Sequence, residues 1–504
     1  MTEKKIVEEY SFNADGIPVK IIIFTDNKHN VPVYDIFTPE IPDGTKALVE
    51  VITEEIIREH SVNIDAGNKD KLSEEKNRFL EISEKKLRRK IPELKENEIK
   101  LLAGHVLHKI FGLGEVELLL GDNWLEEIAV NGVRNPISVY HRKHGWCRTT
   151  KHLKTEEAIY NLSSRIGRFI GREITTLNPI MDAHLLSGDR AVSTLYPISA
   201  HGNTLTIRKF SRNPWTPTSL LAPAINNLSV EMTAFLWQAV QYELNAVVVG
   251  GTASGKTSMM NALCSFIVPN QRVISIEDTR EIMLPNTLEW NWIPLTTRLA
   301  NPENQGAVDM LDLMVASLRM RPDKIIVGEV RKKAQAETMF EAMHTGHSVY
   351  STFHADTVAQ ALRRLSEPPI EIPKAELESL HLVIAQYRDR RKGIRRILEI
   401  AEIVDTGKEK LDVNYVFRYR PRNDSFEKTS ESVRVIEELN LHTGMTPKEI
   451  SDDLQEKEII IKWMLEKNIS SIHDFGLIMS RYYRNSKEIL DFALKNKNPD
   501  DLLG

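Results

Sequence analysis

Residues 245–257, Asn-Ala-Val-Val-Val-Gly-Gly-Thr-Ala-Ser-Gly-Lys-Thr, restrict the possible folds of this chain more than any other stretch. Ala246 to Val249 form a short apolar, β-branched run that predicts a buried strand. The run breaks at Gly250-Gly251 and resumes as a helix pattern from Ser258 to Phe266. Spacing from Gly250 to Thr257 satisfies G-x-x-x-x-G-K-[ST], a phosphate-binding loop. A triphosphate needs several backbone N–H groups converging on it, and small residues let the backbone come close. The helix that follows adds the positive end of its dipole. The expected nucleotide contacts are therefore Gly250, Gly251, Thr252, Ala253, Ser254, Gly255, Lys256, Thr257 and Ser258. Lys256 reaches the β- and γ-phosphates and the Thr257 hydroxyl ligates Mg²⁺, so ATP and Mg²⁺ are the expected cofactors.

Downstream, strand patterns alternate with helical ones, which predicts an α/β fold with a mostly parallel sheet covered on both faces. Four apolar runs, Asn245–Val249, Arg272–Ile276, Lys324–Val327 and Val349–Phe353, each end in polar residues. Ligands of open α/β sheets bind beyond the carboxyl ends of the strands. Gly250–Thr257, Glu277–Glu281, Gly328–Arg331 and His354–Asp356 are thus expected to meet in one crevice. Glu329 is placed to hold Mg²⁺, directly or through its water, as hard oxygen ligands do. Glu277, Asp278 and Glu281 offer the general base for an attacking water. His347 and His354 are seven residues apart, an odd spacing that places them on opposite faces of a strand, so at least one lies off it. Zinc ligation needs more donors than this stretch provides, and phosphate sensing is the expected role.

Composition frames the rest. At 504 residues, with 41% hydrophobic and 27% charged residues, the chain has material for several domains with real cores. A net charge of −5 argues against a general nucleic-acid binder. Cys147 and Cys264 are too few for a zinc cluster or a disulfide framework. No apolar run approaches the ~18 residues that span a bilayer, and the first ten residues lack a signal-peptide core. A cytoplasmic location, with membrane association only through a partner, is expected. Residues 1–100 read as an N-terminal extension, mostly helical with some strand, and the mixed-charge segment 68–92 reads as a solvated helix. Residues 101–210 read as an α+β N-terminal domain, in which Arg165, Arg168 and Arg172 form a solvated face. Residues 211–225, with two prolines among small polar residues, read as a linker. Residues 226–404 carry the nucleotide-binding core. Residues 405–504 read as a small mixed accessory region; Thr446-Pro-Lys-Glu449 carries helix-start signals there.

The ordered set Gly250–Thr257, Ile276-Glu-Asp-Thr-Arg-Glu281, Leu318–Arg331 and Thr345–His354 resembles the secretion and type IV pilus assembly ATPase superfamily. These stretches match its Walker A motif, aspartate box, Walker B motif and histidine box in order. Asp182–Arg190 and Thr206–Phe210 look like the N-terminal-domain motifs of the same family, and the resemblance covers about residues 100–404. It implies a RecA-like P-loop NTPase core and a homo-hexameric ring. Such a ring hydrolyses ATP at subunit interfaces, beside a polytopic membrane platform protein at the inner face of the cell membrane. Family position favours Glu281 as the base, with Glu329 nearer the metal, and leaves Glu277 as the rival. It also implies that Arg190 and Arg208 act on the neighbouring subunit's nucleotide. Bacterial members often carry a tetracysteine zinc insert, which two cysteines cannot make. Arg363–Pro373 and Ile394–Ile403 are similar to the archaeal branch. The implied function is assembly of a type IV pilus-like filament or a type II secretion system, with an archaellum motor as the alternative.

Other classes fit less well. An ABC ATPase needs an L-S-G-G-Q-type signature after its phosphate loop, whereas Leu186-Ser-Gly-Asp189 precedes the loop and lacks the second glycine. A ring-shaped DNA translocase could share the core, yet no basic tract interleaved with aromatics is present and no nucleic acid is expected. A non-hydrolysing scaffold would not need the full set of carboxylates and histidines.

Overall fold

The computed structural model describes residues 4–60, 69–169, 172–185, 188–209, 214–298, 300, 305–404 and 411–503. Two compact units, Met1–Arg212 and Asn213–Gly504, make up the chain. The start of the expected linker (211–213) and of the expected accessory region (405–410) lie outside the described residues.

The first unit is built on one sheet. Its strands are β1 (Lys5–Ala14), β2 (Ile17–Thr25), β3 (Val33–Phe37), β4 (Leu125–Asn131), β5 (Ser138–His141), β6 (Gly145–Thr149), β7 (Ile180–His184), β8 (Arg190–Thr194) and β9 (Thr204–Arg208). They run in the order β1-β2-β3-β6-β5-β4-β9-β8-β7. Alternation explains the strands: Ile17, Val19, Ile21 and Ile23 of β2 all point into the core. Because β3 pairs with β6, the sheet runs across residue 100. The expected split into an extension and a separate domain is therefore not a division of this fold. Helix Lys69–Lys90 is less solvated than its charges suggest. It buries Phe79 and Leu87 against the helices Asp43–Glu59 and Glu96–Ile110, and Phe79 meets Phe111 edge-on at 5.0 Å. Outside that seam Lys86 bonds Glu55 and Glu59. Near the β5–β6 turn, Glu8, His141 and His144 cluster, but the two imidazoles stack and Lys143 already pairs with Glu8.

The second unit has strands β10 (Ala246–Gly250), β11 (Val273–Glu277), β12 (Trp292–Thr296), β13 (Lys324–Val330), β14 (Ser348–Phe353), β15 (Leu382–Asp389), β16 (Ile394–Val404), β17 (Asp412–Arg420) and β18 (Ser425–Lys428). Their order is β12-β11-β13-β14-β10-β15-β16-β17-β18. The six strands from β12 to β15 are parallel and the remaining three continue antiparallel. Every residue of β10 is buried, as a strand covered on both faces requires. Ala246 and Val248 enter one core, and Val247 and Val249 enter the other.

Two expectations are corrected here. Residues 214–225 are not a free linker: Thr216 caps helix Pro217–Leu221, whose Leu220 and Leu221 are buried in the core. The tail is not an accessory region either. Strands β17 and β18 extend the central sheet, and helices Arg434–Thr443, Pro447–Glu466, Ile472–Arg484 and Ser486–Leu494 help cover one of its faces. Fully buried Glu402, on β16, accepts the N–H groups of Val433 and Val435 at 2.8 and 3.0 Å, stabilising the start of the first tail helix. Trp237 joins core to tail: it stacks on Phe266 at 5.5 Å, meets Tyr482 edge-on at 4.7 Å, and donates its indole N–H to Tyr483. The tail's apolar residues are too far apart in sequence from their partners for local periodicity to reveal this. Trp237→Ala is expected to destabilise the second unit by about 3–5 kcal/mol. A chemical-denaturation midpoint equal to wild type would contradict that packing.

Candidate active site

Loop and helix geometry follow from the residues at the end of β10. A Cβ on Gly250 would lie 2.3 Å from Ser254 Oγ and 2.6 Å from the Gln386 carbonyl oxygen, so only glycine fits. Gly255 has φ +102°, a left-handed turn that glycine adopts without strain, and helix Lys256–Cys264 starts directly after it. The first N–H groups of that helix have no intrahelical acceptor, and with the helix dipole they favour an anion at this end.

Lys256 folds back over the loop, donating to the Gly250 carbonyl at 3.1 Å and lying 3.8 Å from Glu329 Oε1. Burial pushes its ammonium below the ordinary lysine range, against the opposing pull of the Glu329 and Glu281 carboxylates. Glu329, near the carboxyl end of β13, also accepts from Arg331 Nε at 2.5 Å, and Arg331 reaches Asp278 at 2.8 Å. The Thr252 hydroxyl lies 3.2 Å from His354 Nε2. The phosphate loop, Glu277–Glu281, Gly328–Arg331 and His354 thus all occur at the carboxyl ends of parallel neighbouring strands.

The two candidate bases differ in surroundings. Glu277 is only 3% exposed, and its Oε1 accepts the N–H groups of Glu281 and Ile282 at 2.8 and 3.0 Å. Burial raises its carboxyl to about 7, despite those two N–H donors. Glu281 is partly exposed and close enough for its charge to act on Lys256. The raised value has a consequence for stability. Between the ordinary carboxylate range and about 7 the folded protein holds a proton that the unfolded chain has lost, so stability falls as pH rises through that window. Glu277→Gln is expected to flatten this fall and to raise the melting temperature at pH 8 relative to wild type. An unchanged pH profile would contradict the raised value.

His347 does not join the cluster. It immediately precedes β14, at the amino end of a six-residue strand whose carboxyl end leads to His354. That is about 20 Å of extended chain. Its Nδ1 lies 3.3 Å from the Ala342 carbonyl oxygen and 3.1 Å from the Thr345 hydroxyl. Both histidines lie off the strand, one at each end, so His347 is not a phosphate sensor for its own chain's loop.

Arg190 and Arg208 belong to the first unit, where β8 and β9 place them directly opposite each other. Arg190 is held bidentately by Asp182, at 2.9 and 2.5 Å. Arg208 lies opposite Glu127 on its other side and is exposed.

Three contacts were not foreseen from the sequence. Arg395 of β16 donates to the Ala253 carbonyl at the tip of the phosphate loop, at 3.1 Å. Buried Gln386 and Asn227 exchange amide hydrogen bonds at 3.0 and 3.3 Å beneath Gly250. Asn261 bonds the backbone on both sides of Ile282. None forms a spaced motif, and no periodicity in the sequence singles these residues out.

Comparison with known proteins places this arrangement. The family profile "Type II/IV secretion system protein" matches residues 187–402. "Uncharacterized protein MJ0900" of Methanocaldococcus jannaschii is 34% identical over 394 residues, which cover 76% of this chain and 70% of that protein. The type IV secretion system protein PtlH homolog of Bordetella bronchiseptica is 30% identical over 306 residues, 56% of this chain and 87% of that protein. The solved ATPase DotB of Legionella pneumophila is 16% identical and superposes with a TM-score of 0.41, covering 75% of this chain and 95% of its own. With the phosphate loop, the carboxylates and the histidine at the strand ends, and with a relative matched over most of its length, this chain belongs to the type II/IV secretion system family and is an ATPase.

Proposed function

We propose that the chain is the hexameric ATP-hydrolysing motor of a system that assembles a type IV pilus-like filament or a type II secretion pseudopilus. The observation that carries this reading is the division of chemistry between the two units. The phosphate loop, Glu281, Glu329 and His354 lie on the second, while half-buried Arg190, paired with Asp182, and exposed Arg208 lie side by side on the first. A closed ring of heterologous contacts offers each nucleotide one neighbour that can supply such cations.

In this reading the helix start and Lys256 bind the β- and γ-phosphates, Glu281 orients the attacking water and accepts its proton, and His354 senses the phosphate through Thr252. Thr257 and Glu329 are the residues that would hold Mg²⁺, and their hard oxygens fit it; the ion would neutralise charge on the phosphates. Arg190 and Arg208 of the adjacent subunit would reach the phosphates on ring closure. Among the described residues no helix is long and apolar enough to cross a membrane. Attachment at the cytoplasmic face through a polytopic platform protein is the corresponding proposal. An archaellum motor would use the same machinery.

The test is hydrolysis by the purified protein with and without DNA, alongside the mass of the nucleotide-bound assembly. Mg²⁺-dependent turnover without DNA by a six-chain species is the expected result. Turnover seen only with DNA would favour a translocase.

A further inference from the structure

The backbone of 281–283 is bonded by two side chains that the roles above leave out. Asn261, 4% exposed on the helix that follows the phosphate loop, uses both arms of its amide. Its Nδ2 donates to the Glu281 carbonyl at 3.0 Å and its Oδ1 accepts the Met283 N–H at 2.9 Å. From the other side, buried Glu277 accepts the N–H groups of Glu281 and Ile282. Four polar groups of the backbone between the Glu281 N–H and the Met283 N–H are fixed in this way, and the Ile282 side chain anchors in the core.

We infer that Asn261 is a positioning residue: it ties the phosphate-loop helix to the backbone of Glu281 and so sets where the Glu281 carboxylate stands when nucleotide is bound. The inference rests on the reading of Glu281 as base. The chemistry of the clamp suits the task. A carboxamide presents an NH2 donor group and a carbonyl acceptor in a fixed plane, matching a carbonyl and an N–H two residues apart. The helix carrying Asn261 is the same helix whose first turn binds phosphate. Any shift of the helix on nucleotide binding is therefore passed directly to residues 281–283. An aspartate at 261 would keep the acceptor arm and lose the donor arm. Alanine would lose both and leave the Glu281 carbonyl and Met283 N–H without those partners.

A kinetic double-mutant cycle tests this, with the full-length protein, ATP as substrate and a fluorescent ADP analogue as binding probe. Asn261→Ala is expected to lower kcat by about 10- to 100-fold, the scale of a catalytic group displaced by about 1 Å. Analogue affinity and KM should stay at wild-type values. Asn261→Asp, which preserves shape and one arm, should lower kcat in the same direction, and rates are compared well below each variant's own melting temperature, so a folding defect in either variant does not decide the matter. In a Glu281→Gln background, Asn261→Ala should cost nothing further, because the group it positions is already disabled. A full second loss in that background, or wild-type kcat for both Asn261 variants while Glu281→Gln is impaired, would overturn the positioning role. Wild-type kcat for Glu281→Gln itself would instead overturn the assignment of the base.

Discussion

Lys256→Ala should abolish ATP hydrolysis, lowering kcat by about 10³-fold or more, and should severely weaken nucleotide binding. The lysine is the point charge of the phosphate loop. Its ammonium lies on the Gly250 carbonyl and beside Glu329, partly desolvated. A γ-phosphate offers that ammonium more negative charge than either, and transfer needs that charge met while it spreads over the equatorial oxygens. Alanine removes the cation and leaves Glu329 facing the phosphates with Arg331 beside it. Phosphate release and analogue binding measure the two effects separately. Wild-type turnover in this variant would remove the phosphate-loop assignment altogether.

Glu281→Gln is the second large effect. It is expected to bind ATP normally and to lower kcat by about 10²- to 10⁴-fold, the usual share of a general base. The amide keeps size and removes basicity. Glu277→Gln should be far milder, because Glu277 is buried and its Oε1 is committed to two backbone N–H groups that an amide oxygen can also accept. Glu329→Gln should also bind ATP and hydrolyse it poorly, through loss of metal support. Should Glu281→Gln turn over normally while Glu277→Gln does not, the roles of the two residues are reversed.

How much of this was legible in the sequence depends on the range of the interaction. The strand, loop and helix around Gly250–Thr257 are local, and their spacing alone places the phosphate site. The meeting of Glu277, Glu329 and His354 with that loop followed from a general rule about parallel sheets, applied to four apolar runs. His347 failed because spacing on a strand gives faces and not ends; the histidine lies just outside the strand, at the end away from the loop. The choice between Glu277 and Glu281 was open in the sequence, since burial is set by what packs over β11 and not by neighbours in the chain. The tail was misread for a similar reason. Its helices look amphipathic and self-sufficient, yet their apolar faces complete a core around Trp237, more than 200 residues upstream. The clamp of Asn261 was hidden because a single asparagine in a helix has no pattern at all.

The central claim, that each nucleotide site is completed by cations from a neighbouring subunit, is tested most directly by mixing two inactive proteins, Lys256→Ala and Arg208→Ala. Each should be inactive alone, the first for want of an intact loop and the second for want of a cation supplied to its neighbour. In a mixed ring some interfaces combine an intact phosphate loop with a neighbour's intact Arg208, so hydrolysis should reappear on mixing. Arg190→Ala in place of Arg208→Ala checks the second arginine in the same way. If labelled subunits are seen to exchange and hydrolysis stays at the level of the separate variants, the arginine does not act across the interface and the account is contradicted.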